Sequence, residues 1–90
     1  MNWIEKINRD RAGNITSQSW RLDTKAFYAS IVEGHIHYPG RYLLQTDLPG
    51  LNKVDIGETS GQIEAAIKDS EQLIRQKVAD IVSSIETANQ

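Results

Sequence analysis

The last third of the chain carries a helical repeat of apolar residues, and this repeat limits how the remaining residues can fold. Over residues 62–86 the apolar stripe has the three- and four-residue spacing of an amphipathic helix: Ile63, Ile67, Ile74, Val78, Ile81 and Ile85. Two favourable i,i+4 ion pairs lie on the opposite face: Glu64 with Lys68, and Glu71 with Arg75. We therefore predict one long C-terminal helix that needs an apolar surface to cover it.

This helix is longer than a small sheet can cover. Twenty-five helical residues span about 37 Å, whereas a strand of six or seven residues spans about 20–23 Å. The last turns are therefore expected to overhang the sheet and to serve in self-association as a homodimer, through four apolar residues: Val78, Ile81, Val82 and Ile85. The alternative is that the N-terminal segment covers this end, with Trp3, Ile4 and Ile7.

The N-terminal segment is interpreted as a short helix. Asn2 can cap it, Glu5 completes a loose capping box, and residues 12–14, Ala-Gly-Asn, can end it. From residue 17 to 46 the apolar period changes to two, as in strands. Residues 23–25, 33–34 and 38–41 are predicted turns, residues 41–46 a strand, residues 48–52 a loop, and residues 54–56 a short edge strand.

The fold predicted from these segments is α+β. A small antiparallel sheet of three or four strands has the short N-terminal helix and the long C-terminal helix on one face, in the order α-β-β-β-α. Ninety residues without internal repeats or a linker predict a single domain over residues 1–90.

Composition narrows the class of protein. The chain contains no cysteine, which excludes disulfides, thiolate zinc sites and cysteine nucleophiles. It has no apolar run near the ~20 residues of a membrane span, and its first residues do not resemble a secretory signal. We expect a cytoplasmic protein with no membrane partner and no cofactor.

Charge gives little support to nucleic-acid binding. The net charge is −2, whereas nucleic acid attracts basic surfaces. Residues 1–45 carry six basic and four acidic groups, and residues 46–90 carry four basic and eight acidic groups, so the halves differ as +2 and −4. The alternative hypothesis is a weak nucleic-acid binder that uses the sheet face, with Arg21, Arg41 and the tyrosines.

No motif in the chain predicts catalysis or a metal. Glu33, His35 and His37 have the alternate spacing of ligands on one strand face, but Gly34 favours a turn that would separate them. Residues 57–61 precede a helix without the spacing of a phosphate-binding loop. No serine stands in a nucleophile motif, so the chain is predicted to be neither an enzyme nor a metal protein.

Two resemblances bear on function. The α-β-β-β-α order is similar to the double-stranded-RNA-binding domain, but residues 61–66 read Gly-Gln-Ile-Glu-Ala-Ala where that family carries lysines, so its function is not expected. In size, absence of cysteine and α/β pattern, the whole chain looks like small accessory proteins of phages and mobile elements, including anti-CRISPR inhibitors. That resemblance implies inhibition of a host defence protein by occluding its surface.

The sequence-based hypothesis is thus a non-enzymatic protein-binding module. Four residues are predicted to contact the host partner: Glu64, Glu71, Tyr38 and Tyr42. The carboxylates provide charge, and the tyrosines are the kind of anchor found at binding hot spots.

Overall fold

A computed structural model describes residues 1–35 and 37–88 of the chain. These residues form five strands and one helix: β1 Ile4–Arg9, β2 Ile15–Asp23, β3 Tyr28–His35, β4 Tyr38–Thr46, β5 Val54–Glu58 and α1 Ile63–Ala88. The α+β class and the long C-terminal helix are confirmed. The prediction of three or four strands is wrong, because the described residues contain five.

The strands form one open antiparallel sheet in the order β1-β2-β3-β4-β5. Every strand therefore pairs with its neighbour in sequence, through short connections. In the middle of the sheet Ile31 lies opposite Trp20 on one side and Leu44 on the other. These three residues share one face because directly opposed residues in an antiparallel pair point the same way.

The predicted N-terminal helix is wrong, because the segment forms the edge strand β1. Ile4 lies opposite Arg21, and the pairing continues to Arg9 opposite Ile15. The Gly-Asn sequence at residues 13–14 completes the β1–β2 connection instead of ending a helix. Asp10 Oδ1 accepts hydrogen bonds from the Ala12 and Asn14 amides, at 2.9 Å each, and Gly13 has φ 86°.

The predicted turn at residues 38–41 is also wrong. Tyr38 lies opposite His35, so the connection between β3 and β4 comes earlier and β4 runs straight through the Pro-Gly sequence. Gly40 still has a positive φ of 74°. That conformation occurs within a strand here, next to irregular pairing on both sides of β4. The edge strand after the 48–52 loop is confirmed as β5, two residues longer than predicted.

The core lies between α1 and one face of the sheet. Its buried members come from β2, β3, β4, the 47–53 loop and the first half of α1: Trp20, Leu22, Ala29, Ile31, Tyr42, Leu44, Leu51, Ala66 and Ile74. Trp20 and Tyr42 meet edge to face, with ring centroids 5.9 Å apart. Trp3 extends this core from the N-terminus.

The protein is elongated, with extents of 60 × 24 × 21 Å. A 26-residue helix is about 39 Å long, so α1 must lie largely along the long axis. The radius of gyration of the protein, 15.1 Å, exceeds the roughly 12 Å expected for a compact chain of this length. In a molecule of this shape, part of the helix is not covered by the sheet, and part of the sheet is not covered by the helix.

Candidate protein-binding surfaces

The apolar stripe of α1 is buried in its first half and exposed in its second. Ala66, Ser70 and Ile74 are at most 3% exposed. Further along the helix, Val78 is 40% exposed and Val82 48%. Ile85 is 58% exposed, and Ile81 is half-buried. We call Val78, Val82 and Ile85 the overhang stripe.

The sheet ends near Lys77. The 47–53 loop, which joins β4 to β5, passes the helix there, and Lys77 Nζ lies 3.2 Å from the position that a Cβ on Gly50 would occupy. Beyond this point Pro49 and the helix border an open groove of about 400 Å³, which also includes Ile81. Half-burial of Ile81 fits its place beside this loop. Ile85 lines the same open groove, whereas Val78 and Val82 do not.

The N-terminal segment does not cover the overhang stripe. Trp3 Nε1 donates a 2.9 Å hydrogen bond to Glu71 Oε1, in the middle of α1. Ile4 is 71% exposed and Ile7 39%. As a strand, the segment is fixed to β2 at the far edge of the sheet, so the alternative in which it folds over the helix end is wrong.

Of the four residues predicted to contact a host partner, Tyr42 is buried and Glu71 is half-buried. Tyr42 is 6% exposed and packs against Trp20. The side chain of Glu71 is 18% exposed, accepts the Trp3 hydrogen bond and lies 3.7 Å from Arg75 Nη2. Glu64, in the first turn of α1, and Tyr38, at the start of β4, are exposed.

These two exposed residues lie at the same end of the protein. The Thr59 amide, just before α1, donates a 2.9 Å hydrogen bond to the Gly40 carbonyl near the start of β4. Burial, followed by the nearby charges of Glu33 and Glu64, raises the pKa of the Tyr42 hydroxyl. The first turn of α1 and the start of β4 therefore form one partly acidic surface, opposite the overhang.

The sheet face away from α1 gives little support to nucleic-acid binding. Arg21 Nε lies 2.9 Å from Asp23 Oδ2, and its guanidinium carbon is 5.0 Å from the centre of the Tyr28 ring. Arg41 pairs with Asp55 at 2.9 Å and with Glu58 at 3.4 Å. Because both arginines already have carboxylate partners, they offer little free positive charge to phosphates.

A metal site finds no support in the described part of the chain. Among the side chains that the structure describes, in residues 1–33 and 37–87, no three His, Cys, Asp or Glu residues are grouped as metal ligands. The side chain of His35, one of the residues weighed for such a site, lies outside what the structure describes. Within the same residues, no helix combines the length and apolar character needed to cross a bilayer.

A second groove lies between β5 and α1 and was not predicted from the sequence. Its volume is about 490 Å³, and it is lined by Asp55, Ile56, Asp69, Gln72, Leu73 and Gln76. Leu73 is 37% exposed there. The partial signal in the sequence was Leu73 at the margin of the apolar stripe, but pairing it with β5 required the tertiary structure.

Comparison of the chain with protein-family models, with curated proteins and with solved structures finds no match.

Proposed function

We propose that the protein is a non-enzymatic protein-binding module. The observation that carries this proposal is the overhang stripe, three apolar side chains on consecutive turns of one helix, each 40–58% exposed. Contiguous exposed apolar surface is typical of interaction sites, because its hydration is unfavourable and binding removes it from water. The stripe supports self-association as a homodimer through Val78, Ile81, Val82 and Ile85.

The proposed partner beyond a second copy is a host defence protein. The small size, the α+β pattern and the lack of cysteine resemble phage-encoded inhibitors of the anti-CRISPR type. Such a protein acts in the cytoplasm of the host cell by occluding a functional surface. The end of the molecule with Glu64 and Tyr38 is the proposed contact, since both side chains are exposed and an exposed tyrosine is a frequent binding anchor.

Phage plating tests this function. The protein is expressed in bacteria whose CRISPR system targets an infecting phage, and plaques are counted against an empty-vector control for several system types. We expect the protein to restore plating for at least one type. Glu64→Lys and Tyr38→Ala should reduce that protection, because they reverse a charge and remove an anchor without touching the core.

Lys25→Ala is the matched control, in an exposed turn between β2 and β3. It should protect as well as the natural sequence. The inhibitor proposal fails if no CRISPR type is affected although the protein is folded and abundant. The assignment of the contact fails if Glu64→Lys and Tyr38→Ala protect fully.

A further inference from the structure

We propose that two copies of this chain pair through antiparallel last turns of α1. In this arrangement the overhang stripes pack on each other, and Arg75 of each copy faces Glu86 of the other. The inference rests on the proposed protein-binding function. It names a second copy of the chain as the partner, gives the geometry of pairing, and adds Arg75 and Glu86 to the contact residues.

The first argument is the angular position of the stripe. At about 100° per residue, Val78, Val82 and Ile85 lie within about 80° of Ile74 around the helix axis. Ile74 is 1% exposed and faces the sheet. The overhang stripe therefore continues the side of α1 that the sheet covers upstream. Beyond Lys77 its three side chains are 40–58% exposed, and Ile85 and Pro49 of the 47–53 loop line one open groove.

The second argument is steric and sets the direction of pairing. A parallel partner helix lying on this side would run into the sheet, because the sheet occupies that side of α1 from its first turn to Ile74. An antiparallel partner avoids the sheet, since its own sheet lies at the opposite end of the pair. If Val78 of one copy lies level with Ile85 of the other, the partner helix ends about level with Arg75, where the first sheet ends.

The third argument is charge complementarity. Arg75 and Glu86 lie within about 20° of each other around the helix, on one flank of the stripe. In an antiparallel pair the same flanks of the two helices meet. In the register above, each Arg75 and the opposite Glu86 are offset by only about 3 Å along the helix axis. The Arg75 side chain lies 3.7 Å from Glu71 within its own helix but is still 66% exposed, and Glu86 is also exposed, so Arg75 can pair with both carboxylates. Between them, residues 78–85 contain a single charged side chain, Asp80.

The overlap sets the expected strength and shape. About 14 residues of each helix overlap, over roughly 20 Å. That is small beside the 1,200 Å² or more that stable interfaces bury, so we expect a weak, reversible dimer. Two 60 Å molecules joined end to end over this overlap would reach a length of about 100 Å.

Sedimentation velocity over micromolar to millimolar concentrations tests the pairing. We expect the natural chain to shift from monomer to dimer, and Val82→Asp to stay monomeric at every concentration. Ile4→Asp is the matched control, because Ile4 is still more exposed than Val82 but lies on β1. It should dimerise like the natural chain. Far-UV circular dichroism should show that both variants keep the natural fold.

Charge exchange tests the register. Arg75→Glu and Glu86→Arg should each weaken the dimer roughly three- to tenfold. The double variant should restore it, because each new pair again joins opposite charges. Small-angle scattering of the dimer should give the length of about 100 Å; a length near that of the monomer would overturn the antiparallel arrangement.

The outcomes separate this inference from the proposed function. A natural chain that stays monomeric throughout overturns the dimer, and so does a dimer that survives Val82→Asp. If the chain is monomeric and Val82→Asp abolishes protection in the plating assay, the stripe binds the host protein instead. If the dimer forms as described and no plating effect is found, the inhibitor function fails while the pairing stands.

Discussion

Ser70 is a polar side chain at a buried, otherwise apolar position of α1. It occupies a stripe position of α1, is completely buried, and its hydroxyl has no hydrogen-bond partner among the described residues. A buried hydroxyl without a partner loses its hydration and gains nothing in return. The small side chain nevertheless fits against the sheet, between Ala66 and Ile74 on the same side of the helix.

Ser70→Ala should therefore stabilise the protein by about 1 kcal/mol, because it removes an unpaired polar group and improves helix propensity. Urea unfolding followed by circular dichroism measures the change. Ser84→Ala is the control: Ser84 is exposed and donates a 2.9 Å hydrogen bond to the Asp80 carbonyl. A destabilised Ser70→Ala variant would show that the hydroxyl has a partner the structure does not reveal.

At the scale of the element, the two halves of α1 contribute differently to the free energy of folding. Residues up to Ile74 are held by the core, while the overhang has solvent on most sides. Helix stability in proteins comes mostly from packing, so the overhang contributes little to the free energy of folding of a single molecule. Folding of a single molecule therefore does not require the apolar residues of the overhang, in keeping with the binding role proposed for them.

Truncation of two stripe residues should separate these halves. Ile74→Ala should lower the free energy of unfolding by about 2–4 kcal/mol, since it leaves a cavity in the core. Val82→Ala should change it by less than about 0.5 kcal/mol in dilute solution, where the chain is monomeric. Thermal and urea unfolding measure both. Equal losses would mean that the overhang is covered within one molecule.

The pairing of β4 with β5 depends on pH through Asp55. A hydrogen bond from Arg41, then one from the Gly57 amide, lowers the pKa of this carboxyl below its usual 3.8. A depressed pKa in the folded state stabilises the fold above the unfolded value of 3.8, and this contribution is lost as the pH falls through the folded value. Asp55 thus holds the edge strand most firmly when it is ionised.

Asp55→Asn should lower stability near neutral pH and flatten the loss of stability below about pH 4. Unfolding measured from pH 7 to pH 2.5 gives the two profiles. Asp23→Asn is the control, because Asp23 pairs with the neighbouring Arg21 on its own strand and does not join two strands. Identical pH profiles for the natural chain and Asp55→Asn would contradict the assigned role.

At the scale of the whole molecule, the N-terminal segment is joined to the middle of α1. Trp3 donates to Glu71, 68 residues away in sequence, and packs against the core cluster. This contact fixes the first strand to the middle of the helix, although β1 itself is exposed along its whole length. It also holds Trp3 at the middle of α1, away from the overhang stripe.

Trp3→Phe should lower the free energy of unfolding by about 1 kcal/mol, because an aromatic ring remains but Glu71 loses the hydrogen bond from the indole and keeps only its contact with Arg75. A double-mutant cycle with Glu71→Ala measures the coupling between the two residues. A coupling near zero would mean that the hydrogen bond adds nothing beyond the packing of the ring.

The sequence by itself determined the periodic elements. The 3.6-residue repeat of Ile63, Ile67 and Ile74 predicted the type of α1 and nearly its full length, and the alternation around Trp20 and Ile31 identified strands. Which face of the sheet is buried was left open. Both signals are local, since each depends on one element having one apolar side. The length of the repeat also indicated that the helix would exceed its sheet.

Only the tertiary structure decided the state of segments whose local pattern is ambiguous. Trp3, Ile4 and Ile7 fit a short helix or a strand, and pairing with β2 chose the strand, because a short helix is marginal without packing. Gly40 supplied a positive φ that could serve a turn or an irregular strand. Burial of Tyr42 depends on its packing against Trp20 of another strand, and exposure of Val82 depends on where the sheet ends. Both are properties of the assembled elements and not of any one of them.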